Sequence, residues 1–245
     1  MYLCSQFMDY KVIHIDETDS TNRWLRSFVS VDNIKTVVVT AEYQTAGKGC
    51  GTNSWESERG KNLTFSMLIH PKDIPANQQF HITEVVSVAL CMTLEPYIYN
   101  KVEIKWPNDI YVGDKKICGM LIENRLQGSE IKDSIIGIGL NVNQKEFRSD
   151  APNPVSLYQL LGHEVDRNEL LMRFLSCLGD VSNRETVSSD YRNMLFRKGK
   201  QHVYADETGR FEAVLTDVKP DGRLVLRDTE GKERLYAFKE VQFII

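Results

Sequence analysis

The chain has 245 residues, with 34 acidic against 30 basic side chains and a net charge of -4; 42% of the residues are hydrophobic and 26% charged. That composition excludes a disordered chain, a collagen-like fibre and a binder that coats nucleic acid through a strongly basic surface. The length allows one large domain, or one domain and a small module, at roughly 100–200 residues per domain.

The N-terminal stretch lacks a basic segment followed by an apolar run, and no run of 18 apolar residues occurs, so a cytoplasmic protein without a membrane span is expected. Lys11 to Ile15 reads as a short strand. Asp19-Ser20-Thr21-Asn22 supplies N-cap chemistry for a helix carrying Trp24, Leu25 and Phe28. The β-branched run from Thr36 to Tyr43 predicts a buried strand. Residues 44–60 form a polar, glycine-bearing loop. From Lys61 to His70, Leu63, Phe65, Met67 and Ile69 alternate with polar positions, which predicts a half-buried strand. Ile82, Val85, Val86, Ala89, Leu90 and Leu94 follow the helical period over Gln78 to Glu95, and Pro96 ends that helix. Four strands follow: Lys101–Trp106, Ile110–Val112, Lys116–Glu123 and Ser134–Val142. Gly113-Asp114 makes a tight turn between the second and third. Val165 to about Arg197 reads as helical, with Asp166 and Glu169 at capping-box spacing.

Hairpins mixed with long helices predict an α+β mixed sheet flanked by helices, not a doubly wound one. After Gly199 the pattern changes to five short strand-like runs: 201–205, 211–218, 223–228, 233–238 and 240–244. Turn signals lie at Glu207-Thr208-Gly209, Pro220-Asp221-Gly222 and Thr229-Glu230-Gly231. This predicts a small all-β module, dividing the chain into residues 1–198 and 199–245. The five cysteines, Cys4, Cys50, Cys91, Cys118 and Cys177, are odd in number, widely spaced and without a C-x-x-C pair. They predict neither a disulfide framework nor a structural zinc site.

Three segments are polar or glycine-bearing where a core prefers apolar residues. The first runs from Gln44 to Trp55. Gly47, Gly49 and Gly51 let backbone N–H groups approach an anion and Lys48 adds a charge, although this is not a Walker A string and a surface loop accounts for it equally. The second is Lys105-Trp106-Pro107-Asn108-Asp109, in which Pro107 stops the strand and Lys105 projects from a stiff support. An exposed lysine beside a core tryptophan gives the same string. The third is Gly137-Ile138-Gly139-Leu140-Asn141-Val142-Asn143. Glycines inside a strand suit either a ligand or a close backbone crossing.

Taken in order, these segments resemble the catalytic core of the biotin–protein ligases, or biotin–[acetyl-CoA-carboxylase] ligases. The resemblance also includes Asp19-Ser20-Thr21-Asn22, Lys61-Asn62-Leu63, Lys116-Ile117-Cys118-Gly119-Met120-Leu121-Ile122-Glu123 and Pro154-Val155-Ser156-Leu157, and covers about residues 15–160. It implies a sheet like that of class II aminoacyl-tRNA synthetases and a C-terminal SH3-like β-barrel. It further implies an enzyme that joins biotin to ATP, with Mg²⁺ on the phosphates, to give biotinyl-5'-AMP. The biotinyl group then passes to one lysine of a biotin carboxyl carrier protein, as in acetyl-CoA carboxylase.

By that resemblance the catalytic cations are Lys105 and Lys48. Biotin is bound by Ser20, Thr21, Asn22, Gln44, Gly47, Lys48, Gly49, Cys50, Trp55, Lys105 and Gly119. The nucleotide is bound by Lys48, Trp55, Lys105, Asn108 and Asn141. No protein metal cage is implied. The chemistry is reasonable for such a set: an anionic carboxylate attacks an anionic phosphate, which requires cations and N–H donors around both. No covalent enzyme intermediate is needed, so Cys50 and Cys118 are bystanders.

One departure stands out. Many relatives read Gly-Arg-Gly-Arg-x-Gly-Arg where this chain has Gly47-Lys48-Gly49-Cys50-Gly51-Thr52-Asn53. A lysine lacks the planar fork that grips phosphate twice, so looser retention of the adenylate is expected, with Lys219 as an extra phosphate contact. Residues 46–58 are expected to order over the adenylate. The alternatives are a lipoate– or octanoate–protein ligase, which shares the core, and a catalytically silent biotin sensor. Too few residues precede Ser20 for a DNA-binding helix-turn-helix, so no DNA binding is expected. An exposed sheet edge leaves a homodimer open.

Overall fold

The computed structural model describes residues 10–28, 36–51, 53–71, 74–149 and 152–245. Cys4 and Thr52 lie outside them. The first part of the chain runs β1 (Tyr10–Thr18), α1 (Thr21–Ser27), β2 (Thr36–Gln44), β3 (Leu63–Ile69), α2 (Phe80–Leu94), β4 (Val102–Lys105), β5 (Asp109–Val112), β6 (Lys115–Gln127) and β7 (Glu130–Leu140). It continues through α3 (Leu157–Leu161), α4 (Arg167–Ser182) and α5 (Val187–Asn193). The strands make one seven-stranded sheet in the order β1-β2-β3-β7-β6-β5-β4. Only the β1–β2 pair is parallel among its neighbours.

Register gives this sheet two unlike faces. Phe65 pairs with Ile138, Met67 with Ile136 and Met120 with Ile138, so these side chains share one face. They join α2 and α4 residues such as Val85, Leu90, Phe174 and Leu178 in the main core. The other face carries Thr64, Ser66, Gly137, Gly139, Gly119, Asp109 and Lys105, connected by the pairs Thr64–Gly139, Ser66–Gly137, Gly119–Gly139, Asp109–Gly119 and Lys105–Asp109. A small cluster of Leu25, Val37, Val39, Leu68 and Ile135 fixes α1 over one end of that face. The sheet is therefore apolar behind and polar in front.

Three elements differ from the sequence reading. All seven residues of β3 are buried, not half of them. Its polar positions Thr64 and Ser66 look solvent-facing by alternation, yet α1 and the neighbouring loop roof them over. The helical stretch after Val165 is two helices, α4 and α5. Ser182 Oγ and Asn183 Nδ2 donate to the Gly179 carbonyl at 2.8 and 2.9 Å, the side-chain competition that favours a helix end. Finally, α3 was not foreseen. It is short, but Ser156 and Gln159 form a reciprocal capping box, and Gly162 closes it at φ 78°.

A second, antiparallel sheet holds β8 (Gln201–Asp206), β9 (Gly209–Val218), β10 (Leu224–Asp228), β11 (Glu233–Tyr236) and β12 (Gln242–Phe243), in the order β11-β10-β9-β8-β12. Its buried Tyr204, Leu215, Leu224 and Leu226 are continuous with the main core. Trp106 Nε1 donates to the Gly222 carbonyl at 2.9 Å, tying this sheet to the end of β4. Among the described residues no helix is long and apolar enough to cross a membrane.

Inside this module, Asp206 accepts from the Thr208 hydroxyl at 2.6 Å and from Tyr236 OH at 2.7 Å. Those bonds, with the Thr208 N–H and the Arg234 charge, hold its carboxyl at about 2. A carboxylate with a lowered folded pKa stabilises the fold above its unfolded value, and that contribution disappears as pH falls through the folded value. Thermal melts should therefore lose stability between about pH 4 and pH 2, and Asp206→Asn should flatten the slope in that window.

Candidate functional site

The site is built on the polar face of the large sheet. At one end, Ser20 takes the N-cap position of α1 with extended backbone, but its hydroxyl caps no helix N–H. Ser20, Thr21 and Asn22 are all buried. Gln44, at the end of β2, accepts from the Thr21 N–H at 2.8 Å and from its hydroxyl at 3.2 Å. Ser66 Oγ lies 2.6 Å from both Thr21 Oγ1 and Asn22 Oδ1. Asn22 Nδ2 donates to Glu123 at 2.9 Å and to the Leu121 carbonyl at 3.3 Å. Asn22 thus spans the sheet above Gly137, where any Cβ would overlap its Oδ1 and sit 2.9 Å from its Cγ. The result is a buried, hydrogen-bonded cluster of hydroxyl and amide groups.

From this cluster a strip of glycine backbone crosses the sheet. Trp55 lies on it. A Cβ at Gly139 would overlap the indole ring and lie 2.7 Å from Nε1, and one at Gly119 would sit 3.1 Å from Cζ3. Real Cβ atoms do not approach as closely as one at Gly139 would, so glycine is required there by close approach rather than by backbone angle, while Gly119 leaves only a tight fit. The indole N–H is buried without a partner. An unpaired buried donor is costly, which fits a group whose acceptor arrives with a ligand. Trp55 is held from the loop side: its backbone N–H donates to the Gly47 carbonyl at 3.0 Å.

The far end of the strip is cationic. Lys105 closes β4 and pairs with Asp109 across the β4–β5 ladder. Its ammonium stands over Tyr111 at 5.4 Å and over Phe243 of β12 at 5.1 Å. Burial pulls its pKa below the ordinary lysine value; Lys116 and Arg197 push the same way and Asp109 opposes them. Lys116 Nζ lies 2.7 Å from Asp109 and 5.8 Å from the Trp55 ring centroid. Lys116 pairs with Asp109 and the half-buried Lys105 stands nearby without a carboxylate in ion-pair contact among the described residues, leaving a positive centre suited to an anion.

The glycine loop is a small hairpin, with Lys48 bridged to Ser54 and the Gly49 N–H donating to the Asn53 carbonyl at 2.8 Å. Cys50 Sγ is 3.5 Å from Asn108 Nδ2, which also donates to the Met120 carbonyl at 2.7 Å. Among the described residues no ion pair engages Lys48, which is exposed. Asn141 is buried; its Nδ2 donates to the Val155 carbonyl at 3.1 Å while Oδ1 has no partner.

The structure brings Ser20, Thr21, Asn22 and Gln44 together at one end. It places Gly47, Trp55 and Gly119 in one contact group, Cys50 beside Asn108, and Lys105 with Asp109 and Lys116. Among the described residues, no hydrogen bond or ion pair joins the side chains of Lys48 and Asn141 to these groups. Cys118 points into the main core, where burial pushes its thiol pKa up and leaves it inert. Among the described residues no group of three or more His, Cys, Asp or Glu side chains is arranged for a metal ion. Sequence reasoning assigned no role to Ser66, which looks like an ordinary strand residue, or to Lys116. It named Lys219 as an extra phosphate contact; a second lysine of the same module, Lys239, lies against Gly51 of the loop.

Residues 15–141 match the model of the biotin/lipoate A/B protein ligase family. The chain is 27% identical to the bifunctional ligase/repressor BirA of Bacillus subtilis, covering 96% of this chain and 75% of that protein. It is 29% identical to the biotin–[acetyl-CoA-carboxylase] ligase of Mycobacterium tuberculosis, covering 89% and 83%. It also superposes on the biotin protein ligase from Aquifex aeolicus in complex with biotin and ATP, with a TM-score of 0.78, 25% identity and coverage of 96% and 99%.

Proposed function

The chain belongs to the biotin/lipoate A/B protein ligase family, and from that membership we propose that it is an ATP-dependent biotin–protein ligase. It activates the carboxylate of biotin with ATP, giving biotinyl-5'-AMP and pyrophosphate. It then transfers the biotinyl group to a lysine of a biotin carboxyl carrier domain. The observation that carries this reading is the polarity of the glycine strip: a buried hydroxyl–amide cluster at one end and the half-buried ammonium of Lys105 at the other. Biotin has the same layout, with a ureido head, an apolar chain and a carboxylate.

Ser20, Thr21 and Gln44 face the ureido group, and Asn22 holds them against the sheet through Ser66 and Glu123. Trp55 and the backbone at Gly47, Gly49 and Gly119 flank the apolar chain. Lys105 receives the carboxylate and the α-phosphate, offsetting the repulsion between two anions as they meet. Lys48, Asn108 and Asn141 serve the nucleotide, with Cys50 as a loop neighbour. Mg²⁺ enters with ATP as part of the substrate, held by phosphate oxygens. The carrier lysine attacks the mixed anhydride, AMP leaves, and no enzyme nucleophile intervenes. Residues 1–198 form the catalytic unit and residues 199–245 a module that closes over the end of β4. The acceptor is the carrier domain of acetyl-CoA carboxylase or of a related biotin enzyme.

The test is pyrophosphate release with ATP and biotin, lipoate or octanoate as competing acids. Biotin should dominate; preference for lipoate or octanoate would reassign the substrate, and tight biotin binding without release would make the protein a sensor. A second expectation follows from the cluster. Ser66→Ala removes one hydrogen-bonding group from both Thr21 and Asn22, and a buried unpaired group costs about 1–3 kcal/mol. The KM for biotin should rise about tenfold, with little change in the KM for ATP. Equal changes in both constants would place Ser66 outside the biotin pocket.

A further inference from the structure

The loop from Gln44 to Trp55 carries one basic side chain, Lys48. A second one reaches it from the other sheet. Lys239 lies in the turn between β11 and β12, at φ 73°. Its ammonium rests against Gly51, itself at φ 71°; a Cβ there would overlap Nζ and lie 3.3 Å from Lys239 Cε. The turn is anchored beside the catalytic strand. Phe238 packs edge-on against Trp106 at 6.4 Å, and Trp106 follows Lys105.

Three facts make this more than a chance contact. Among the described residues Lys239 has no carboxylate partner, and the adjacent Glu240 accepts the Ala237 N–H at 2.6 Å. Among the same residues the N–H groups of Cys50 and Gly51 donate to no backbone carbonyl. Consecutive N–H groups without a backbone acceptor among the described residues, beside an ammonium that stands over the Phe238 ring at 5.9 Å, make an anion-binding concavity. The concavity also lies next to Asn108, through Cys50.

We propose that Lys239, from the C-terminal sheet, completes the polyphosphate site of ATP. It supplies the cation that the arginine-poor loop lacks, together with the N–H groups of Cys50 and Gly51. This rests on the ligase reading above, and it gives the C-terminal module a direct part in nucleotide binding.

The test compares wild type with Lys239→Ala, Lys239→Glu and Lys239→Arg. In pyrophosphate release at saturating biotin, Lys239→Ala should raise the KM for ATP about tenfold, the size of one charge-assisted hydrogen bond. Lys239→Glu should raise it further, Lys239→Arg should restore it, and the KM for biotin should stay within about twofold. A structural role alone would move both constants and would not be rescued by arginine. Calorimetric titration of the same proteins with Mg²⁺ and α,β-methylene-ATP in the presence of biotin reads the site without turnover, because the bridging carbon blocks loss of pyrophosphate. Equal affinities in wild type and Lys239→Ala, or no affinity in wild type, overturn the proposal. A clear affinity difference without turnover in wild type would support it and count against the ligase reading alone.

Discussion

Lys105→Ala should lower biotin-dependent pyrophosphate release by about a thousandfold or more, while the protein still melts cooperatively. The size follows from the position of the charge. Removing one preorganised donor from a developing anion costs about 10²–10³ in rate, and the proposed reaction sets Lys105 before two anions at once. It is also a desolvated charge, packed over Tyr111 and Phe243, where its field is screened less than in water. The fold does not depend on it, since β4 is held by Ile104 in the core and by the Ile104–Leu195 bridge. The pH behaviour gives an independent reading. A lysine with a lowered folded pKa binds its proton less tightly than the unfolded chain does, so stability rises with pH through the window below the ordinary lysine value. Lys105→Ala should remove that rise. Lys105→Arg should recover only part of the rate, because the planar guanidinium does not fit a socket shaped for an ammonium. Full activity of Lys105→Ala would withdraw the assignment.

Gly139→Ala should lower kcat/KM about a hundredfold. The added Cβ falls inside the Trp55 ring, and the sheet beneath cannot move, because Gly139 is paired on both sides with Thr64 and Gly119. Trp55 must leave the strip, taking with it the wall of the groove; a misplacement of about 1 Å is enough for a hundredfold loss. Gly119→Ala makes a useful contrast. Its nearest contacts are at 3.0–3.1 Å, and two of them are the flexible end of Lys116, so about a tenfold loss is expected. Tryptophan emission should shift to the red in Gly139→Ala and barely move in Gly119→Ala. If both variants kept normal activity and emission, the groove would lie elsewhere.

Much of this site was legible in the sequence because its chemistry is local. Pro107 announces the end of β4 and so the aim of Lys105. Gly137 and Gly139 are conspicuous inside a strand, and Ser20-Thr21-Asn22 stands out at a helix start. What escaped is what depends on register or on distant chain segments. Ser66 joins the hydroxyl–amide cluster only when β3 is placed against Gly137, with its polar side under α1. Lys116 points at Asp109 because of the bulge between Ile110 and Tyr111, which no composition rule reveals. Lys239 reaches Gly51 across most of the chain length, and nothing in either segment names the other. The α4–α5 break and α3 were legible in principle, from Asn183 and from the Ser156–Gln159 pair, but helical period and short length outweighed those signals.

The central claim is that the strip joins biotin to ATP and hands the acyl group to a carrier lysine. Its most direct test is intact-mass spectrometry of an apo biotin-carrier domain after incubation with this protein, ATP, Mg²⁺ and biotin. The account predicts a gain of one biotinyl group on a single lysine, dependent on ATP and lost with Lys105→Ala. An unmodified carrier under those conditions, with folded wild-type protein and a carrier that a known ligase can modify, would contradict it.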